Sequence, residues 1–161
     1  MDAFVEFLIS YGNAGMFLAA LLSGSIAPFI SSEAVFIALL AVGAEPWGML
    51  LWGTVGNVLG GIIIYYLGYI GSPQGVERRF HIDHDKMQRA TKLVCEHGAL
   101  AAAFGWVPLL GSAIMVVLGV MRADTAKTLL WMTLGKFLRY LVIVLSAVGI
   151  SLLVQPTPTP P

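Results

Sequence analysis

The sequence predicts an all-α integral membrane protein built as an inverted repeat, each unit a re-entrant helical hairpin followed by one transmembrane helix. Three observations carry that expectation. The 161 residues are 58% hydrophobic and only 11% charged, whereas a soluble domain carries about 25% charged residues to face water. The apolar residues gather in four stretches, two of them uninterrupted and two broken by a proline. A short window in the second stretch recurs in the fourth.

Taken in order, residues 1–12 hold two acids, Asp2 and Glu6, and no Lys or Arg. A secretory signal needs a basic start and a small-residue cleavage site, so this segment is read as mature protein lying at the membrane interface. Residues 13–154 form the expected membrane domain. Its first stretch, Ala14 to Val42, is broken at Ser23-Gly24-Ser25-Ile26-Ala27-Pro28-Phe29-Ile30-Ser31-Ser32-Glu33. The second, Trp47 to Ile70, contains no proline and reads as a complete span, which takes about 20 apolar residues. The third, Ala99 to Met121, is broken at Gly105-Trp106-Val107-Pro108-Leu109-Leu110-Gly111-Ser112. The fourth, Leu129 to Val154, is again a full span. Proline removes a backbone donor and clashes with the preceding turn. Non-helical backbone at membrane depth is tolerated only under cover of protein or around a wet cavity. Both broken stretches therefore read as hairpins that dip into the bilayer and return, with kinked full-length helices as the alternative. The tail, residues 155–161, is a Pro-Thr run without an apolar face and is expected to be disordered.

Between the second and third stretches, Ser72 to His97 holds five of the nine Lys and Arg residues. It reads as a polar loop followed by a surface helix from about Asp83, and the positive-inside rule makes it cytoplasmic. A hairpin that returns leaves each unit with one net crossing, which puts both termini on the opposite side. The recurring window pairs Leu50-Leu51-Trp52-Gly53-Thr54-Val55-Gly56-Asn57-Val58-Leu59-Gly60-Gly61 with Leu129-Leu130-Trp131-Met132-Thr133-Leu134-Gly135-Lys136-Phe137-Leu138-Arg139-Tyr140, identical at six of twelve positions. Pro28 and Pro108 precede the two windows by nearly the same distance. One net crossing per unit makes the second copy inverted, an arrangement that transporters use.

Lys136 and Arg139 lie well inside the last span and share a face; cations at that depth must be paired or wetted. Glu33 is the acid in the first break. The economical expectation is that Glu33 faces Lys136 and Arg139 across the interface between units. That would make either a purely structural ion pair or a site for an anionic head group and protons, Arg suiting phosphate through its forked donors. Asn57 matches Lys136 in the repeat and is placed in the same cavity, with Ser32, Gly111 and Ser112 beside the hairpin breaks. Gly56, Gly60 and Gly61 read as close helix contacts, and Tyr65, Tyr66 and Tyr69 as interface anchors. His81-Ile82-Asp83-His84-Asp85 follows Arg78 and Arg79 and reads as solvated loop rather than a metal site. The single cysteine, Cys95, excludes an intrachain disulfide. A formal net charge of zero gives no case for nucleic acid. Neither a nucleophile–base pattern nor a phosphate-binding loop is present, so no enzyme activity, cofactor or metal is expected.

Pro28 with Glu33, Gly56-Asn57-Val58-Leu59-Gly60-Gly61, Tyr65 and Gly68 resemble the DedA family of bacterial inner-membrane proteins. That family shares the VTT domain, also called the SNARE-associated Golgi protein domain, with eukaryotic autophagy scramblases. Gly98-Ala99, Trp106-Val107-Pro108, Gly119 and Gly135-Lys136-Phe137-Leu138-Arg139-Tyr140 resemble its YqaA-like branch. The resemblance covers residues 12–150 and implies translocation of phospholipid or polyprenyl phosphate, with proton coupling as an option. It also places arginines where this chain has Gly105 and Gly111, and an acid where it has Gly61; Lys136 and Arg139 are read as supplying the missing positive charge. The expected partners are membrane lipids with phosphate head groups, protons and, as an open option, a second copy of the chain. The competing readings are a proton-coupled exporter of small ions or drugs, and a non-transporting membrane factor that supports envelope assembly through protein contacts.

Overall fold

The computed structural model describes residues 12–25, 32–41, 43–71, 84–107 and 110–154. Pro28, Pro108, the segment 1–11, the loop 72–83 and the tail 155–161 lie outside the described residues. The described elements are all helical: α1 (Asn13–Gly24), α2 (Ser32–Ala41), α3 (Pro46–Ile70), α4 (His84–His97), a 3₁₀ segment (Gly98–Trp106), α5 (Leu110–Val120) and α6 (Thr125–Val154). α3 and α6 are long and apolar enough to cross a membrane. The four arms flanking the breaks have 12, 10, 9 and 11 residues, about half of what a span needs.

The 3₁₀ segment is a departure from the plain helical arm expected there. It begins at Gly98, whose left-handed φ of 57° ends α4 and turns the chain. A 3₁₀ helix rises about 2.0 Å per residue against about 1.5 Å in an α-helix. Its nine residues thus cover the same length, about 18 Å, as the twelve residues of α1. The tighter winding gives this arm the reach of α1 from fewer residues.

The turns into the two long helices are the same device used twice. After α2, Gly43 donates to Leu40 and Ala44 to Leu39, with Gly43 at a φ of 86°. After α5, Arg122 donates to Gly119 and Ala123 to Leu118, with Arg122 at a φ of 50°. Both are Schellman endings, which satisfy the last carbonyls of a helix through one left-handed residue. An acid then caps each long helix: Glu45 accepts from Gly48 N–H at 2.8 Å and Asp124 from Lys127 N–H at 3.0 Å. Gly43 and Arg122, like Glu45 and Asp124, are separated by the offset that separates Leu50 from Leu129.

Packing follows the same offset. Gly56 of α3 lies against the backbone of Phe17 in α1, and its counterpart Gly135 of α6 lies against the backbone of Ala103 in the 3₁₀ segment. α5 packs on α3, setting Gly119 on the backbone of Tyr65, while α2 reaches α6 through its side chains, Phe36 stacking on Tyr140 at 5.8 Å. Where α3 and α6 meet, Gly53 faces the Tyr140 ring and Gly61 faces Met132. An early residue of each helix thus meets a late residue of the other, so the two run antiparallel. The outer faces carry Leu51, Val55, Leu59 and Ile63 on α3, and Leu130, Leu134, Leu138 and Val142 on α6, all exposed. Glycines inside and large apolar chains outside suit helices solvated by lipid.

Two sequence expectations are refined. The polar segment does carry a surface helix, α4, which buries Met87, Ala90 and Val94 and exposes its charged side. Tyr65 is no interface anchor. It is 1% exposed and bonds the carbonyl of Ala123 at 2.8 Å and the hydroxyl of Thr125 at 3.0 Å, tying α3 to the start of α6. Tyr66 and Tyr69 are exposed, and Arg122 lies over the Tyr69 ring at 5.0 Å.

A methyl group at Gly56 or Gly135 would meet backbone that cannot withdraw. Gly56→Ala and Gly135→Ala should each lower stability in detergent by about 1–3 kcal/mol, measured by thermal unfolding. Gly149→Ala, which meets nothing within 4 Å, should leave the midpoint unchanged or raise it.

Candidate functional site

The inward stripe of α6 is Thr128, Met132, Lys136, Tyr140 and Val144, spaced by four residues and all buried. Such a stripe is normally apolar; here Lys136 and Tyr140 bring an ammonium and a hydroxyl to the helix crossing. On α3, Asn57 sits among Gly53, Gly56, Gly60 and Gly61, where missing side chains leave room for both. On α2, Ser32 and Glu33 occupy the first turn, and a carboxylate is favoured at that positive end of a helix.

These groups form one connected polar network. The Lys136 ammonium donates to the backbone carbonyl of Asn57. The Asn57 amide donates to the Tyr140 hydroxyl at 3.1 Å, and Tyr140 donates to Ser32 Oγ at 3.0 Å. Ser32 reaches Glu33 Oε1 at 3.4 Å. Glu33 pairs with the Arg139 guanidinium, whose other arm donates to the carbonyl of Trp106 at 2.8 Å. The network runs from α6 through α3 and α2 and back to α6, and touches the 3₁₀ segment. Ser32 and Tyr140 are 0% exposed and Lys136 4%, while the Glu33 and Arg139 side chains keep 28% and 20%. The inner groups are dry and the ion pair stands at the rim.

The sequence expectation put both cations opposite Glu33. The structure brings Arg139 to Glu33 and turns Lys136 to Asn57. Three residues along a helix leave side chains about 60° apart, enough to aim Lys136 at α3 and Arg139 at α2. Asn57 and Lys136, matched in the repeat, are bonded to each other at the centre of the crossing. Of the residues flanking the breaks, Ser32 joins the network. Gly111 packs on the backbone of Gly105, and Ser112 is partly buried in the first turn of α5. Pro28 and Pro108 are outside the described residues.

The departures from the family pattern now have a geometry. A side chain at Gly111 would run into the backbone of Gly105, whereas a Cβ at Gly105 would make only ordinary contacts with Met115 and Met132 at 3.9 Å. The Arg139 guanidinium instead reaches that break from α6, at the carbonyl next to Gly105. Beside Gly61 the space is taken by the Met132 sulfur and by Lys136 Nζ, 2.8 Å from where a Cβ would stand. Tyr140 is the member that sequence reasoning did not single out. Its signal was there: a tyrosine deep in a span, four residues after a lysine, belongs to no interface belt.

Comparison with known proteins agrees with the resemblance. A family profile for the VTT domain matches residues 27–148. The Inner membrane protein YqaA of Escherichia coli K12 is 29% identical over 134 residues, covering 83% of this chain and 89% of that protein. The Shigella flexneri protein of the same name matches to the same extent. An uncharacterized protein of Haemophilus influenzae is 28% identical over 155 residues, covering 89% of this chain and 94% of its own length. No solved structure matches the chain.

Tyr140→Phe removes a hydroxyl that accepts from Asn57 and donates to Ser32, leaving the buried Asn57 amide without that acceptor and Ser32 with Glu33. It should cost about 1–3 kcal/mol by denaturant titration in detergent. Ser32→Ala should cost less in the Tyr140→Phe background than in the wild type, because the two hydroxyls share a bond.

Proposed function

The chain belongs to the VTT domain (DedA) family, in its YqaA-like branch, and we propose that it moves phosphate-bearing lipids across the bacterial inner membrane. In this reading the two units are an inverted repeat, their short arms are re-entrant hairpins, and the 72–97 segment faces the cytoplasm. The observation that carries the reading is the continuous polar network linking both units inside an apolar body. A scaffold needs no such network to hold helices together, since apolar groups of similar volume would often be as stable. A lipid phosphate passing between leaflets needs cationic and hydrogen-bonding partners at depth, and Arg139 presents five donors in a planar fork. Glu33 holds that fork in the absence of a lipid and is the group through which protons would couple to transport.

The test is reconstitution. Proteoliposomes should equilibrate fluorescent anionic phospholipid between leaflets faster than empty vesicles, and Glu33→Gln and Arg139→Gln should each lower that rate about tenfold or more. Rates equal to protein-free vesicles at every imposed pH gradient would reject transport and favour the envelope-assembly reading. Topology is checked separately, after Cys95→Ser removes the exposed native thiol. Cysteines at Asn13 and Ala41, exposed at the two ends of the first hairpin, should label from the same side. A cysteine at Ser25 should not label from the opposite side. Labelling of Asn13 and Ala41 from opposite sides would contradict the re-entrant hairpin.

A further inference from the structure

Arg139 also faces a second space, on the outer side of α6. A groove of about 530 Å³ lies there between α6 and the 3₁₀ segment. Its walls are Phe104 and Trp106 on one side and Trp131, Leu138 and Val142 on the other, and Arg139 is its charged group. The size falls within the range of about 300–1,000 Å³ usual for ligand sites. From Trp131 to Val142 the α6 wall runs about 16 Å at 1.5 Å per residue. Arg139 lies about 12 Å along that wall from Trp131. Leu134, Leu138 and Val142, which line or border the groove, belong to the exposed apolar face of α6.

We propose that this groove seats one acyl chain of an anionic phospholipid, with the lipid phosphate drawn to Arg139 at the inner wall. The inference rests on the lipid-transport reading and names where its substrate docks. Charge complementarity selects the occupant: a wholly apolar chain would leave idle the donors of Arg139 that Glu33 and the Trp106 carbonyl do not take, and a free phosphate would leave the apolar wall between Trp131 and Leu138 bare. Arg139 is shared between two compartments. Its bonds to Glu33 and to the Trp106 carbonyl tie it to the polar network, and its position in the groove wall offers remaining donors to the phosphate. A lipid entering sideways from the leaflet would meet aromatic edges first and the cation last.

Trp106 and Trp131 make the groove visible to fluorescence. In a Trp47→Phe/Trp52→Phe background, vesicles containing phosphatidylglycerol with brominated chains should quench these two tryptophans at about fivefold lower lipid fraction than brominated phosphatidylcholine does. Arg139→Gln should abolish that head-group preference and Arg139→Lys should keep most of it. Trp106→Phe preserves the Arg139 bond, which goes to the backbone. The reference chain, Trp106→Phe/Trp131→Phe with Trp47 and Trp52 intact, should show no preference. Equal quenching by both lipids, a preference that survives Arg139→Gln, or the same preference in the reference chain would each overturn the proposal. Translocation measured on the same vesicles separates the two ideas. A protein that translocates without selective quenching rejects the groove alone, and one that shows selective quenching without translocating rejects only the transport reading.

Discussion

The Glu33–Arg139 ion pair joins helices from the two halves of the chain inside an apolar body, and the groups around it are arranged to keep it satisfied. Removing two charges from water costs several kcal/mol per ion, repaid only when geometry and further hydrogen bonds are good. Here the second arm of the guanidinium takes the Trp106 carbonyl, and Ser32 stands beside the carboxylate. Behind Ser32 the hydroxyl of Tyr140 and the amide of Asn57 continue inward to Lys136. Each group has its partner on another element, so α2, α3, α6 and the 3₁₀ segment are held in register by polar contacts that lipid cannot replace. Close packing at Gly56 and Gly135 acts beside these contacts, since lipid tails are as apolar as the helices and give no hydrophobic preference for one helix contact over another.

The two long helices share a scaffold but divide the work unequally. Gly60 and Gly61 of α3 correspond to Arg139 and Tyr140 of α6, and Gly53 corresponds to Met132. In the antiparallel crossing, Gly53 receives Tyr140 and Gly61 receives Met132 with Lys136. At each of these contacts one partner is a glycine and the other is large. That explains how one helix can supply most of the polar side chains while its counterpart is glycine-rich: the room for Lys136 and Tyr140 is the room α3 leaves. Gly56 and Gly135, which both touch backbone, are the pair the two helices share; Gly60 and Gly68 of α3 also touch backbone but correspond to Arg139 and Ala147.

Much of this was legible in the sequence because membrane solvation imposes crude, readable constraints. Two uninterrupted apolar runs set α3 and α6, and the recurring window put Gly56 with Gly135 and Asn57 with Lys136. Depth in the last span singled out Lys136 and Arg139, and the first break singled out Glu33. Three things were not legible. The 3₁₀ winding of Gly98–Trp106 is not encoded by residue type, since its alanine-rich run favours an α-helix. The separate aims of Lys136 and Arg139 depend on where α2 and α3 lie around α6. Tyr65 was obscured by residue type, since a tyrosine near the end of an apolar run reads first as an anchor, and the partners of Tyr140 lie on helices far away in the sequence. Only the fold shows Tyr65 tying α3 to the start of α6 and Tyr140 at the middle of a hydrogen-bonded chain.

In the proposed function, the carboxylate of the first half and the guanidinium of the second act as one unit in moving lipid. Charge exchange in proteoliposomes tests it most directly, with translocation of anionic phospholipid measured for Glu33→Arg, Arg139→Glu and the double exchange. Each single reversal, which sets like charges against each other, should fall to the rate of empty vesicles, and the double exchange should recover a measurable part of the wild-type rate. Single reversals that translocate at the wild-type rate would contradict it.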